Sequence, residues 1–309
     1  MNIQFFEPLS RAWDRMVLIL FRPFDLGKWF TIGFTAFLAD LMNGPGGSGS
    51  GARADQSRWS HHQFGEFFRF PERAWDWLLA HPLWSSLIVA GILILIILTV
   101  LFTWLSSRGK FMFLDNVVHN RAEVVMPWKE YRREADSLFL WRLIYGFIVF
   151  GLIMTVLVMA FLSFSALYFD DAPRELYFSK GIGIGLLLFL LIIILSYIDL
   201  FLTGFVVPVM YKKRVGVMRG WGIFLSLFSR QLGYFIVFGL IMLLMIILAV
   251  MAVIVFGLGT CCIGFLLLII PYLNAVVLLP LSVLFRSYSL EFLKQFGEEY
   301  DVFPAETAS

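Results

Sequence analysis

Long runs of apolar residues, separated by short basic segments, dominate the chain. Leu83–Ser107 and Leu143–Phe169 carry no charged residue. Each exceeds the roughly 20 residues that an α-helix needs to cross a hydrocarbon core of about 30 Å. Gly181–Tyr211 carries one charge, Asp199, and the uncharged Gln231–Phe285 is long enough for two crossings. The pattern therefore predicts five transmembrane helices.

A sixth span is predicted over Trp29–Met42, which is apolar except for Asp40 and about 14 residues long. The argument for it comes from lysine and arginine, which collect on the cytoplasmic side of membrane proteins. With six spans and a cytoplasmic N-terminus, 18 of the 24 basic residues lie inside, whereas omitting the sixth span leaves 14 inside. We therefore expect both termini to lie in the cytoplasm of a bacterium, with the chain in its inner membrane.

The segments outside the spans have two contrasting patterns. Residues 8–21 have the apolar periodicity of an amphipathic helix, with Leu9 and Trp13 on one face and Arg11 away from it. This pattern is typical of a helix lying in the membrane interface. Residues 43–82 begin with a Gly/Ser-rich stretch and are predicted to form a long flexible loop outside the cytoplasm.

An arginine followed seven residues later by a tryptophan occurs three times in the chain. The identical octapeptide FIVFGLIM also occurs twice, at 147–154 and 235–242. The three pairs are Arg22 with Trp29, Arg121 with Trp128, and Arg214 with Trp221. These repetitions predict an internal repeat.

We interpret the repeat as three parallel units, each an interfacial helix followed by a transmembrane hairpin. The units cover residues 1–105, 106–210 and 211–290, and residues 291–309 form a polar cytoplasmic tail. Tryptophan favours the headgroup level and arginine binds anionic lipid, so each pair is predicted to anchor its unit at the cytoplasmic interface. A functional basic site is the alternative interpretation.

One segment resembles a known group of proteins. It consists of Phe205–Met210, Arg214–Trp221 and Leu225–Gly239. It is similar to a signature of uncharacterised prokaryotic multi-pass proteins related to the membrane domain of glycerophosphodiester phosphodiesterases, over residues 110–290. The resemblance implies a six-helix or similar all-α membrane domain. It does not imply the phosphodiesterase activity, because the catalytic barrel needs about 250 further residues.

Composition restricts the function. Of the 309 residues, 60% are hydrophobic and 15% charged, against about a quarter charged in soluble domains. This excludes a soluble enzyme and a nucleic-acid-binding domain, and the net charge of +2 indicates no polyanionic partner. We find no catalytic motif, no cofactor motif and no metal-ligand spacing among the four His and two Cys residues.

Asp199 is the one acidic residue within the long apolar runs. A carboxylate inside a membrane is costly unless it is protonated, paired or hydrated, and such residues are often functional. Tyr197 lies beside it, and Asn274 with Tyr272 in the last span offers a polar partner. These four residues are the candidate intramembrane site, with a structural hydrogen-bonding role for Asp199 left open.

Three functions follow from these patterns. The first is a non-catalytic scaffold or accessory subunit that organises lipid or protein partners. The second is a transporter or lipid-handling protein with a polar site around Asp199 and Asn274. The third is a membrane-embedded enzyme, for which a second catalytic group is missing, so we expect no enzyme activity.

Overall fold

The apolar runs form helices in the computed structural model, which describes residues 3–42, 61–170, 173–259 and 268–304. No strand occurs in these ranges, and the chain is an all-α protein. The helices are α1 (Phe6–Phe21), α2 (Leu26–Asp40), α3 (His61–Ala80), α4 (Pro82–His119), α5 (Val125–Glu130), α6 (Arg132–Phe169), α7 (Arg174–Phe201), a π-helical turn (Leu202–Val206), α8 (Val207–Lys213), α9 (Val217–Arg230), α10 (Leu232–Gly259), α11 (Pro271–Val277) and α12 (Leu279–Lys294), followed by a 3₁₀ turn (Glu298–Tyr300).

Four helices in the described ranges are long and apolar enough to cross a membrane. They are α4, α6, α10 and the continuous stretch Glu175–Lys213. Helices α11 and α12 together pass the same test but are bent by 61°, and as one broken span they would make a fifth. The predicted span over 29–42 lies in α2, whose 15 residues fall short of a full crossing.

Two predicted loop regions differ in outcome. Residues 43–60, and residues 260–267 between the two crossings predicted within Gln231–Phe285, lie outside the described residues. Residues 61–80, predicted as part of a flexible loop, instead form the 20-residue helix α3. Pro71 lies inside this helix, and the residues that follow it include the helix formers Glu72, Ala74 and Leu78.

The chain divides into two compact units. Unit 1 comprises Met1–Gly47, Phe102–Trp141 and Tyr197–Ser309, and unit 2 comprises Ser48–Leu101 and Arg142–Ser196. Unit 2 consists of α3 and the apolar lengths of α4, α6 and α7, whose large hydrophobic side chains are mostly exposed. Such a surface matches lipid rather than water.

Unit 1 has the buried core. Three helical segments are buried on nearly all sides, namely the end of α4, the π-helical turn with α8, and α12. A group of phenylalanines packs between them, and Phe205 stacks on Phe224 at a ring distance of 5.5 Å. Helix α1 packs on α12, and α2 packs on α11.

A close approach of α4 to α2 in unit 1 depends on Gly109 of α4. A Cβ atom at this position would lie 2.5 Å from the backbone nitrogen of Ala39 and 2.5 Å from the carbonyl carbon of Leu38. Only glycine allows α4 to approach α2 this closely. Ser106 Oγ, one turn earlier, donates a hydrogen bond of 2.8 Å to the Ala39 carbonyl.

Candidate functional site

A buried carboxylate, Asp115, lies at the centre of the main polar cluster of unit 1. Its side chain is fully buried. Arg121 donates to its Oδ2 from Nε at 3.0 Å and from Nη2 at 2.6 Å. Tyr211 donates to its Oδ1 at 2.8 Å, Tyr131 OH lies 3.4 Å from the same oxygen, and His119 Nδ1 lies at 3.2 Å. We call these five residues the Asp115 cluster.

The end of α4 positions this cluster. Asn120 adopts the left-handed backbone conformation, with φ of 51°, so the helix stops and the chain turns back. Asn116 holds the turn, because its side chain accepts from Glu123 N at 2.9 Å and donates to Glu123 O at 3.0 Å. This geometry brings the Arg121 side chain back to Asp115, which lies six residues earlier in the chain.

The Asp115 cluster shifts the pKa of two members that lie outside the candidate spans. Burial raises the pKa of Tyr131 to about 12, against its ordinary value of 10.0, and the charge of Asp115 acts in the same direction. For Arg121, burial favours the neutral form, but the hydrogen bond and charge of Asp115 outweigh it and the pKa is raised. Both side chains therefore keep their ordinary protonation at neutral pH.

Arg214 joins the edge of this cluster. It ends α8 in the left-handed conformation, with φ of 53°, and its guanidinium lies 4.0 Å from the centre of the Tyr131 ring. It also forms an ion pair with the Glu130 carboxylate. The Tyr131 ring in turn stacks on Tyr211 at 4.6 Å. Of the three predicted anchor arginines, Arg121 thus belongs to the Asp115 cluster and Arg214 borders it.

The three predicted Arg–Trp pairs share one local geometry. Each arginine lies at a break between helices, and each tryptophan lies near the start of the helix that follows. The arginines differ in environment, because Arg22 is exposed whereas Arg121 is bound to Asp115. Arg121 was predicted to meet lipid, and the structure gives it a protein partner instead because the carboxylate lies on the preceding helix.

The tryptophans of these pairs are half-buried in protein contacts. Trp29 Nε1 donates to the Val276 carbonyl at 3.0 Å. Trp128 packs edge-on against Trp104 at 5.6 Å. Trp221 packs on Trp141 at 5.6 Å, while its Nε1 is buried with no hydrogen-bond partner in the described structure.

Three basic residues of unit 1 are buried, and sequence reasoning counted them only as charges flanking the spans. Lys110 is fully buried and its Nζ donates to Thr203 Oγ1 at 3.1 Å. Arg286 donates to the carbonyl of the same threonine, within the π-helical turn. Arg108 pairs with Asp136 at 2.9 Å, and its guanidinium lies 4.7 Å from the centre of the Trp104 ring and 4.8 Å from that of Trp128. The signal in the sequence was that each of these residues follows a long apolar run, Arg108 and Lys110 after Leu83–Ser107 and Arg286 after Gln231–Phe285.

The predicted intramembrane residues lie on two elements of unit 1. Asp199 and Tyr197 are half-buried on the last turns of α7, where Tyr197 packs against Gly239. Tyr272 donates to the Phe30 carbonyl at 3.1 Å, and Asn274 is buried with its Oδ1 lacking a hydrogen-bond partner in the described ranges. Among the hydrogen bonds and ion pairs of the described residues, none joins Asp199 or Tyr197 to Asn274 or Tyr272.

A polar groove of about 490 Å³ opens where α6 begins and α9 begins. We call it the arginine groove. Its lining includes Arg133, Glu134, Ser137, Arg214, Met218 and Arg219. Across the described parts of the chain, no group of three or more His, Cys, Asp or Glu side chains could hold a metal ion.

Comparison with known proteins identifies a family whose function is unknown. Neither the curated proteins nor the solved structures contain a match to this chain. Residues 3–273 match a family model described as a family of unknown function, DUF7544. This match covers most of the 309 residues, and the chain therefore belongs to the DUF7544 family.

Proposed function

We propose that this protein is a non-catalytic, multi-pass membrane protein that organises lipid headgroups, and partner proteins bound with them, at the cytoplasmic face of a bacterial inner membrane. The supporting observation is that unit 1 buries the acidic Asp115 while it exposes several basic side chains. Its buried acid, Asp115, is fully occupied by internal contacts, whereas basic side chains such as Lys129, Lys212 and Arg230 are exposed. Exposed cations of this kind attract anionic lipid.

The topology in this proposal has six spans and cytoplasmic termini. Helix α2 is the additional short span, and the bent pair α11–α12 is the last. The three hairpin units 1–105, 106–210 and 211–290 and the kinship of residues 110–290 to the phosphodiesterase membrane domains belong to the same proposal. The topology and the units rest on the basic-residue distribution, the Arg–Trp repetition and the repeated octapeptide, whereas the resemblance rests on Phe205–Met210, Arg214–Trp221 and Leu225–Gly239.

Anionic lipid retained by the purified protein tests the function. Each basic residue near an anionic surface contributes about 1 kcal/mol of attraction. The triple variant Lys129→Gln/Lys212→Gln/Arg230→Gln should therefore lose its enrichment in phosphatidylglycerol at least severalfold, measured by mass spectrometry of the copurified lipids.

The matched control is Arg69→Gln/Arg73→Gln/Lys180→Gln, which removes three exposed charges from the side predicted to be outside the cytoplasm. It should leave the enrichment unchanged. Equal lipid enrichment in the wild type and both variants would contradict the proposed function.

A membrane-impermeant maleimide tests the six-span topology in cells. In a chain with Cys261 and Cys262 replaced by alanine, Asp14→Cys should be protected and Arg69→Cys should be labelled from outside. Labelling of both positions would contradict a crossing by α2.

One observation favours a second candidate function, lipid transport. The Asn274 side-chain oxygen is buried without a hydrogen-bond partner in the described structure, and an unsatisfied buried group suits a site that takes a ligand. Reconstituted protein would then accelerate the flipping of a fluorescent phospholipid, and Asp199→Asn would slow it. Vesicles that show no acceleration would exclude lipid flipping.

A further inference from the structure

The arginine groove combines two exposed arginines with a buried carboxylate, Glu134, which lies within electrostatic range of Arg214. Arg133 and Arg219 are both exposed, and neither has an acidic partner in the described structure. The third arginine, Arg214, already forms an ion pair with Glu130 and lies over the Tyr131 ring. The groove therefore has two arginines available to an added anion.

The start of α9 adds backbone donors to the same side of the groove. Gly216 precedes the helix without a side-chain cap, and the Val217 amide donates to Ser137 Oγ at 3.0 Å. The next two amides, of Met218 and Arg219, have no acceptor within the helix, as is usual for a first turn. An anion placed here would receive backbone N–H groups in addition to guanidinium groups.

The carboxylate of the groove is Glu134, whose exposure is only 7%. Its Oε2 has no hydrogen-bond partner among the described residues. A buried carboxylate oxygen without a donor is unfavourable, because the charge of Arg214 nearby does not replace the hydrogen bonds that water had made to this atom. This atom therefore points to a ligand that supplies an N–H or O–H donor.

A phosphate group alone satisfies only half of this arrangement. The arginines and amides fit a phosphate, while Glu134 would repel it, and its Oε2 needs a hydrogen-bond donor that a phosphate does not supply. Both demands are met by one molecule that carries a phosphate and an ammonium a few bonds apart. Phosphocholine does not meet them, because its trimethylammonium has no N–H to donate.

We infer that the arginine groove binds a phosphoethanolamine group, with the phosphate on Arg133, Arg219 and the start of α9 and the ammonium on Glu134. This inference rests on the proposed function, since it names one headgroup that the cytoplasmic face would hold. The same group exists as the headgroup of phosphatidylethanolamine and as the free soluble compound. The exposed Met218 beside the groove fits the membrane-bound form.

The test is competition between two lipids on the full chain. Purified protein in detergent is given equal amounts of phosphatidylethanolamine and phosphatidylcholine with identical acyl chains, and the bound lipids are counted by native mass spectrometry. We expect about tenfold retention of phosphatidylethanolamine over phosphatidylcholine, the value of one hydrogen bond to a charged group. Equal retention of the two lipids by the wild type would overturn the inference.

Variants test which groove residues bind the ammonium and which bind the phosphate of the ligand. Glu134→Gln should bring the lipid ratio close to one, whereas Arg133→Gln/Arg219→Gln should lower retention of both lipids. The matched control is Arg132→Gln, because Arg132 is 75% exposed, pairs with Asp136 and does not line the groove. A lipid ratio unchanged in Glu134→Gln would overturn the assignment of the ammonium.

Further measurements keep these results separable. If Glu134→Gln does not fold, the wild-type lipid ratio and the arginine variants decide. Displacement of the lipid by free phosphoethanolamine assigns the groove to the soluble form as well, and binding without displacement assigns it to the lipid. Loss of the ethanolamine preference while phosphatidylglycerol enrichment persists would overturn this site and leave the proposed function standing.

Discussion

Replacing Asp115 with asparagine should destabilise the protein more than any other single charge removal at the end of α4. The change removes one negative charge from a fully buried position and turns an acceptor of Arg121 into a donor. Tyr211 and His119 lose the charge that they share with Arg121. The expected result is a lower free energy of unfolding with the helices retained.

The magnitude follows from the burial of the two partners. Breaking a buried ion pair by removing one member costs about 3–5 kcal/mol. Arg121 keeps a side-chain exposure of 25%, so water can solvate part of the guanidinium that is left behind. We therefore place the loss near the lower end, at about 3 kcal/mol, which is about two orders of magnitude in the unfolding equilibrium.

Unfolding in mixed micelles of a mild detergent and dodecyl sulfate measures this loss. The matched control is Glu123→Gln, because Glu123 faces the same Arg121 at 3.8 Å but is 47% exposed. An exposed pair of this kind contributes up to about 1 kcal/mol. If Asp115→Asn lowers the free energy of unfolding no more than Glu123→Gln does, burial does not strengthen the ion pair of Asp115 with Arg121, and this prediction is wrong.

Three further predictions concern unit 1. Gly109→Ala should lower the free energy of unfolding by about 1–3 kcal/mol, because its methyl group meets the backbone at Leu38. Gly91→Ala in the same helix, with open space around its Cβ, should not, and equal effects on unfolding would contradict the close crossing. Arg108→Gln should lose about 2 kcal/mol and change the tryptophan fluorescence, since Arg108 lies over two indole rings. Because the pKa of Tyr131 is about 12 in the folded chain and near 10 when unfolded, its contribution to stability holds below pH 10 and is lost as the pH rises to 12. Tyr131→Phe should show a shallower loss of stability over this range, and an identical slope would count against the buried phenol.

The long helices were accessible from the sequence because hydrocarbon imposes a simple length rule. The runs Leu83–Ser107 and Leu143–Phe169 lie within α4 and α6, and Gln231–Phe285 contains α10. A segment of more than 20 uncharged residues has few alternatives to a helix once it leaves water. The ends of the helices were less predictable than the apolar runs, because α4 continues past its run through charged residues to His119.

The long-range contacts of Asp115 and Lys110 were not predictable, because their partners come from separate parts of the chain. Tyr211 lies 96 residues from Asp115, and Lys110 lies 93 residues from its acceptor Thr203. The sequence showed these basic and acidic residues only as parts of a cytoplasmic charge balance. Whether such a charge is solvated or buried depends on which helix end packs against it.

The sequence by itself determined the class of protein, the positions of the apolar helices and the recurrence of the Arg–Trp pair, since each follows from residues close together in the chain. Only the tertiary structure decided that Arg121 binds a buried carboxylate, and that the Oε2 atom of Glu134 has no hydrogen-bond partner among the described residues in a groove lined by arginines. The physical reason is that local patterns set hydrophobicity and helix length. The free energy of a charge, in contrast, depends on the solvent and partners that folding brings to it.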